Sequence, residues 1–224
     1  MGILIEECGE KMVLLEDFVL EPMYFKWGFS ETDAIYLREG LVAKLKEAHE
    51  LLPKGFDFKI WDGFRTLKTQ EILYKDYWER LVKENPSWSD EQLREAVEVF
   101  VSPASRDPLF PAPHNTGGAV DLTLIDESGS EVLMGAEFDE FNEKSYTNHY
   151  GSGNFHENRM LLKEVLESVG FVNYEEEWWH FSFGDQAWAM AKGETFAIYG
   201  SVELGFEKSF PGEPFSGTFS PCKK

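Results

Sequence analysis

The sequence predicts an α+β protein with a central, mostly antiparallel sheet and accompanying helices. Short segments of alternating apolar residues return through tight turns, and the strongest helical periodicity lies in the first half of the chain. A chain of 224 residues can bury an apolar core without disulfides, and its composition shows no break that would mark a linker. We therefore predict one domain over residues 1–224, with 67–110 as a helical and proline-rich loop region within it.

The net charge and the N-terminal sequence indicate which binding partners and which cellular location to expect. The chain has 21 Lys and Arg against 41 Asp and Glu, a formal net charge of −20. A surface this acidic repels phosphate backbones and anionic lipid, so we predict neither a nucleic-acid nor a membrane partner. The N-terminus lacks the basic and apolar regions of a secretory signal, and Cys8 and Cys222 lack metal-site spacing. These features predict a cytoplasmic protein and leave its oligomeric state open.

The first half of the chain is predicted to be mainly helical. A helix is expected over 30–52, with Ser30 and Asp33 as a capping box and apolar residues at helical spacing. The alternating segment 56–61 predicts a half-buried strand that ends in a turn just before Arg65. Two further helices are expected, one from Thr66 to about residue 85 and one from Ser89 to about residue 101.

The second half is predicted to carry most of the strands. Residues 102–118 contain four prolines and end in two glycines, so they read as a long loop of the kind that often carries function. Strands are then expected in four segments, with a helix over 154–169 between the second and the third. The strand segments are AVDLTLID (119–126), EVLM (131–134), FVNYE (171–175) and WWHFSF (178–183).

Polar side chains fall at the joints between these elements. His114 ends the proline-rich loop, Asp121 lies in the strand that follows it, and His180 lies in a later strand. Two imidazoles and a carboxylate form a ligand set of catalytic zinc, and Glu177 in the turn before His180 suits a general base. An offset of seven places His114 and Asp121 on opposite faces of one straight strand, unless the glycines break it. By spacing alone, a hydrogen-bonded structural His–Asp pair competes with the metal site.

Four motifs resemble the D-alanyl-D-alanine dipeptidase family, in the same order and with similar spacing over about residues 24–183. Residues 114–121 are similar to its H-x-x-G-x-A-x-D motif, and 177–180 to E-x-W-H. Residues 61–65 match W-D-G-[YF]-R, and 134–139 match M-G-x-x-F-D.

The resemblance implies a single zinc dipeptidase domain with the fold of the zinc D-Ala-D-Ala peptidases, also called Hedgehog-like. It implies zinc-dependent hydrolysis of D-alanyl-D-alanine or similar small dipeptides, with one Zn²⁺ per chain. Carried over by position, the zinc ligands are His114, Asp121 and His180. The catalytic residues are Glu177 as base and Arg65 at the transition state, and the residues at the substrate's amino end are Asp139 and Tyr24.

Two alternatives stay open at this stage. One is a zinc D,D- or L,D-carboxypeptidase that acts on longer cell-wall peptides, and the other is a non-catalytic, zinc-stabilised binding module. The sequence also departs from the family, which often has Ser where this chain has Ala112, so strict selectivity for D-Ala-D-Ala is in question. No functional prediction is made for the stretch after about residue 186.

Overall fold

The structure, a computed structural model, describes residues 2–204. Within them, Cys8 is exposed and unpaired, while Cys222 lies outside the described range. None of the helices in this range combines the length and apolar character that a membrane crossing demands. The helices are α1 (Met23–Lys26), α2 (Glu39–Leu51), α3 (Leu67–Glu84), α4 (Asp90–Phe100), α5 (Asn154–Ser168) and α6 (Gln186–Lys192). The strands are β1 (Leu4–Ile5), β2 (Met12–Leu14), β3 (Val19–Leu20), β4 (Tyr36–Arg38), β5 (Phe56–Asp62), β6 (Ala119–Asp126), β7 (Val172–Asn173), β8 (His180–Ser182) and β9 (Phe196–Ala197).

The central sheet has five strands in the order β3-β5-β6-β8-β7. Only the β3–β5 pair is parallel, and the other three pairs are antiparallel. The strand β6 lies in the middle, and its residues 119–125 are buried, as expected for a strand with neighbours on both edges. The predicted α+β class with a mostly antiparallel sheet is therefore confirmed.

Two small sheets lie outside the central one. The strands β2 and β4 pair antiparallel, and β1 pairs parallel with β9, which joins the two ends of the described chain. Among the helices, α2 contacts α5, α3 contacts α4, and α6 contacts β9. The C-terminal stretch that received no functional prediction is thus folded against the N-terminal segment from β9 to Gly200.

The prediction of a helix over 30–52 was wrong at its start. Tyr36–Arg38 form β4, and α2 begins only at Glu39. Leu37 is fully buried there, and the backbone of 36–38 pairs with β2, which a helix could not do. Ser30 bonds locally to Thr32 instead of capping a helix. The apolar period was real, but its first turn belongs to a strand because tertiary pairing outweighs local propensity.

The segment EVLM was also predicted as a strand, and it is not one. It forms a single bridge between Ile125 and Glu131 and one further bond from Val132 N to Leu124 O (2.9 Å). The backbone then turns away at Gly135, whose φ of +85° suits glycine. The strands in 171–175 and 178–183 were confirmed only in their centres, as β7 and β8. The capping box of Ser89 with Gln92 was confirmed at the start of α4.

Candidate metal centre and the cavity around it

Three separate pieces of chain bring His114, Asp121 and His180 together. Asp121 in β6 lies directly opposite His180 in β8, so antiparallel register places both side chains on one face of the sheet. His114 lies in a short 3₁₀ helix, Pro113–Thr116, and not in β6. Gly117 follows with φ of +71°, a left-handed conformation that turns the chain into the strand. The predicted glycine break is confirmed, and with it the expectation that His114 faces the other two residues.

The three donor atoms face one another at short range. His114 Nε2 lies 3.1 Å from His180 Nδ1, and Asp121 Oδ1 lies 3.0 Å from His180 Nδ1 and 3.4 Å from His114 Nε2. Tetrahedral Zn²⁺ with bonds of about 2.0–2.1 Å separates its ligand atoms by about 3.3 Å. All three side chains are buried, and within residues 2–204 they form the one such group that could hold a metal. The donor set therefore has the size that a zinc ion needs.

Hydrogen bonds fix which ring atoms face inward. His114 Nδ1 lies 2.6 Å from Gly63 O, which can only accept, so Nδ1 carries the proton and Nε2 presents a lone pair. Ser182 Oγ donates to Asp185 Oδ2 (2.7 Å) and so accepts from His180 Nε2 (3.4 Å). His180 Nδ1 then presents a lone pair as well. Two lone pairs and a carboxylate oxygen converge with no hydrogen between them, an arrangement that calls for a cation.

The protonation of these groups agrees with such a role. Burial lowers the pKa of His180, which favours the neutral ring that a metal binds. Burial alone would raise the pKa of Asp121, but the charge and hydrogen bonds of His114 and His180 outweigh it and hold that pKa well below its usual range. The centre is therefore anionic when both rings are neutral.

Glu177 lies beside the three donors without joining them. Its backbone N–H bonds to Tyr174 O, and its carbonyl accepts from His180 N, so it occupies the turn before β8 as predicted. Its Oε2 is 3.8 Å from His180 Nδ1. Burial, and then the negative charges of Asp121 and Asp139, raise the pKa of Glu177 well above its ordinary value. A buried carboxyl of this kind is a stronger base than an exposed glutamate.

Arg65 is buried and held from several sides. Its Nε donates to Asp62 Oδ2 (2.6 Å), and its Nη2 donates to Asp121 Oδ2 (2.9 Å) and to Tyr24 Oη (3.3 Å). The guanidinium also lies over the Tyr24 ring, 4.6 Å from its centre. Asp121 thus offers one oxygen to the candidate metal centre and the other to Arg65. A fixed positive charge next to the centre is suited to stabilising an oxyanion.

Asp139 contacts the side of Tyr24 that also bonds to Arg65, through the Tyr24 hydroxyl. The Tyr24 hydroxyl bonds to its carboxylate at 2.9 Å and 3.1 Å, while Phe138 packs into the aromatic core against Trp61. Burial raises the pKa of Asp139 to about 7, against the opposing influence of Arg65. Its φ of +58° is the one positive value outside glycine in residues 2–204. Aspartate is among the residues that adopt this left-handed conformation most readily, and here its carboxylate lies in the cavity wall.

All seven predicted site residues line one cavity of about 460 Å³. They are Tyr24, Arg65, His114, Asp121, Asp139, Glu177 and His180. Of the two adjacent tryptophans, Trp179 lines the cavity, while Trp178 packs on Trp61. The cavity also includes Ala112, where relatives of this sequence pattern often have Ser.

Sequence reasoning missed four residues that support the site, three of them buried and one, Asp62, partly buried. Asp62 and Gln70 contact Arg65, and Ser182 and Asp185 orient His180. Asp62 was within reach of sequence reasoning, since it stands three residues before Arg65 at a strand end. Asp185 also caps α6 through Trp188 N, and a cap signal alone would not have connected it to His180.

Comparisons with known proteins agree with this geometry. The family model Peptidase_M15, described as D-ala-D-ala dipeptidase, matches residues 29–197. A D-alanyl-D-alanine dipeptidase of Escherichia coli is 43% identical, with 76% of this chain and 78% of that protein covered. A D-alanyl-D-alanine dipeptidase of Synechocystis sp. is 29% identical over 91% of this chain and 96% of its own length. A solved structure of the vancomycin resistance D,D-pentapeptidase VanY (E175A mutant) with Zn(II) is 14% identical, with 87% of this chain and 94% of that chain covered and a TM-score of 0.47.

Proposed function

This chain belongs to the Peptidase_M15 family of D-alanyl-D-alanine dipeptidases, and we propose that it hydrolyses D-alanyl-D-alanine or similar small D-configured dipeptides to free amino acids. We propose one zinc ion per chain, bound by His114, Asp121 and His180. The observation that carries this proposal is the convergence of three metal-accepting atoms beside a buried glutamate, in a cavity that also holds Asp139. A bound zinc ion would polarise the scissile carbonyl and lower the pKa of a water molecule.

The proton transfers are assigned to Glu177. Its carboxylate takes a proton from the attacking water, whose oxygen bonds to the scissile carbonyl carbon. The same proton then goes to the departing nitrogen as the C–N bond breaks, which leaves a carboxylic acid and an amine. The acid proton then passes to the amine, which gives a carboxylate and an ammonium group. Burial in the cavity wall supports this role, because it raises the pKa of Glu177 and so strengthens the base.

Arg65 is assigned to the oxyanion that develops on the scissile carbonyl. Asp62 and Asp121 hold the guanidinium in one orientation, so little reorganisation is needed when charge develops. A buried arginine remains charged at every working pH, and here two carboxylates reinforce that charge.

Asp139 and Tyr24 are assigned to the free ammonium group of the substrate. The Tyr24 hydroxyl donates a hydrogen bond to the Asp139 carboxylate and accepts one from Arg65, so this carboxylate lies near Arg65. A half-buried anion that demands an ammonium partner favours dipeptides over longer chains, because an acylated nitrogen leaves the anion unpaired. With Ala112 unable to donate a hydroxyl bond, Asp139 carries more of this recognition.

Metal analysis and a substrate screen test the proposal. Purified protein should contain close to one equivalent of zinc, and His114→Ala and His180→Ala should each lose most of it. His149→Ala is the matched control, because His149 is exposed and outside the cavity. Dipeptides of D,D, L,D and L,L configuration, with and without a chelator, then define the substrate. Full zinc retention in both site variants would overturn the ligand assignment.

A second part of the proposal concerns the cellular location and the binding partners of the protein. We propose a cytoplasmic enzyme that acts on small peptides without a nucleic-acid or membrane partner, supported by the net charge of −20. Fractionation of cells that express the tagged chain checks the location.

A further inference from the structure

Outside the catalytic cavity, Arg38 is the most heavily bonded cation in residues 2–204. Its side chain is only 4% exposed, and all five of its N–H groups have acceptors. Nε donates to Thr116 O (2.8 Å), and Nη1 donates to Glu7 Oε1 (3.0 Å) and Glu10 O (2.7 Å). Nη2 donates to Glu7 Oε2 (2.9 Å) and Gly200 O (3.1 Å). A guanidinium with every donor used has one allowed position.

Two of the bonds of Arg38 end on the loop that carries His114. Thr116 O accepts from Arg38 Nε, and Gly117 O accepts from the Arg38 backbone N–H at 3.0 Å. These carbonyls terminate the short 3₁₀ helix Pro113–Thr116, where the helix itself supplies no donor. His114 itself donates from Nδ1 to Gly63 O and accepts from Arg65 N–H at its carbonyl. Arg38, which lies outside the cavity, fixes the C-terminal end of the His114 loop.

The remaining partners come from the two ends of the described chain. Glu7 and Glu10 precede β2, and Gly200 follows β9; all three lie outside residues 29–197, the region that the family model matches. Glu7 Oε2 also accepts from Gly200 N (2.7 Å), and Glu10 Oε2 accepts from Tyr199 Oη (2.7 Å). Val202 N bonds to Asn115 O (2.9 Å), so the C-terminal segment reaches the same loop directly.

We propose that Arg38, fixed by Glu7 and the C-terminal segment, is a positioning residue that presets the His114 loop for metal binding. The inference rests on the proposed zinc site and gives a role to both ends of the described residues 2–204. The 3₁₀ helix is too short to hold its own geometry, and Arg38 supplies the donors to Thr116 O and Gly117 O at its C-terminal end, while Val202 N–H bonds to Asn115 O. Without the guanidinium, the loop samples other conformations, and a smaller fraction of molecules has His114 placed beside Asp121 and His180.

The test measures zinc affinity in metal-free protein by competition with a chromophoric chelator. Arg38→Lys keeps the charge but cannot reproduce the five-donor fork, and we expect a zinc Kd raised by about 10-fold, in the range of about 10–100-fold known for outer-shell changes. The control is Arg159→Lys, since Arg159 is equally buried and donates to three carbonyls, none of them in 113–117. Its zinc Kd should equal that of the wild type, even where its unfolding temperature falls. The visible spectrum of the Co²⁺-substituted protein should change in Arg38→Lys and not in the control.

The outcomes separate the two proposals. A wild-type chain without specific zinc binding contradicts the proposed function, whatever Arg38 does. Wild-type affinity and an unchanged Co²⁺ spectrum in folded Arg38→Lys would overturn the positioning role. If circular dichroism shows that Arg38→Lys does not fold, Glu7→Gln replaces it, because Glu7 is 40% exposed and holds Arg38 from outside. Weaker zinc binding in that variant supports the inference, and unchanged binding refutes it.

Discussion

Replacing Asp139 by Asn removes a partly buried charge and keeps the shape of the side chain. Asparagine tolerates the φ of +58° at this position, whereas alanine there would add a backbone penalty of about 1–2 kcal/mol and blur the result. The amide oxygen can still accept the Tyr24 hydroxyl. Asp139→Asn therefore isolates the free energy of keeping an anion in the cavity wall.

The pKa of Asp139 determines the sign and the size of its contribution to the free energy of unfolding at each pH. Burial raises the pKa of Asp139 to about 7 in the metal-free chain, whereas an unfolded aspartate titrates near about 3.9. The folded state binds the proton more tightly, so this stability is complete below about pH 4 and is lost as the pH rises to about 7. At about 1.4 kcal/mol per unit, the loss between pH 5 and pH 8 is about 3 kcal/mol, or about half of that after solvent screening. Asp139→Asn does not suffer this loss.

Thermal melts in EDTA at pH 5 and pH 8 provide the assay. The Tm advantage of Asp139→Asn over the wild type should grow by roughly 3–10 °C between the two conditions, at about 2–4 °C per kcal/mol for a chain of this size. Asp126→Asn is the matched control, because Asp126 is exposed and hydrogen bonds from Ser128 lower its pKa, so it should show no gain at pH 8. The same Asp139 variant should lose most of its activity on the free dipeptide. A Tm difference that is equal at both pH values, or larger at pH 5, would refute the reasoning.

Three further outcomes are expected. Glu177→Gln should keep its zinc and its fold but lose about 10²–10⁴-fold in kcat, the usual cost of removing a general base, and near-wild-type turnover would point to Glu175 or Glu176 instead. Arg65→Lys should lower kcat by about 10²–10³-fold, as measured for a lost oxyanion donor, while an unchanged rate would place Arg65 outside the reaction. N-acetyl-D-Ala-D-Ala should be a very poor substrate, because it leaves Asp139 without its ammonium partner. Equal kcat/KM for the free and acetylated dipeptides would favour the carboxypeptidase alternative.

Local signals explain most of the fold that could be predicted. The capping box at Ser89, the alternation through residues 56–61 and the glycine break before β6 are short-range patterns, and each was confirmed. The two wrong elements share one cause. Leu37 lies at helical spacing from the apolar residues that follow it, but its backbone pairs with β2 instead. EVLM has the composition of a strand, but its backbone makes only one bridge to β6.

The sequence by itself determined which chemistry this protein carries. Four motifs in the family's order, two of which contain His114, Asp121, Glu177 and His180, were enough to predict the family and the site residues. Residue type and motif spacing are properties of the sequence itself. The family was then confirmed by comparison. That Asp121 and His180 face each other in one cavity depends on the register of β6 and β8, which was not predicted from the sequence.

Only the tertiary structure decided how the site is held. Asp62, Ser182 and Asp185 support its charged groups, and Arg38 joins Glu7 and Gly200, near the two ends of the described residues, to the His114 loop. The side-chain contacts of Arg38 cross up to 162 residues of sequence, and they leave no periodic or local signature. The physical reason is that a hydrogen bond depends on where two atoms meet in space, whereas a pattern in the sequence records only neighbours along the chain.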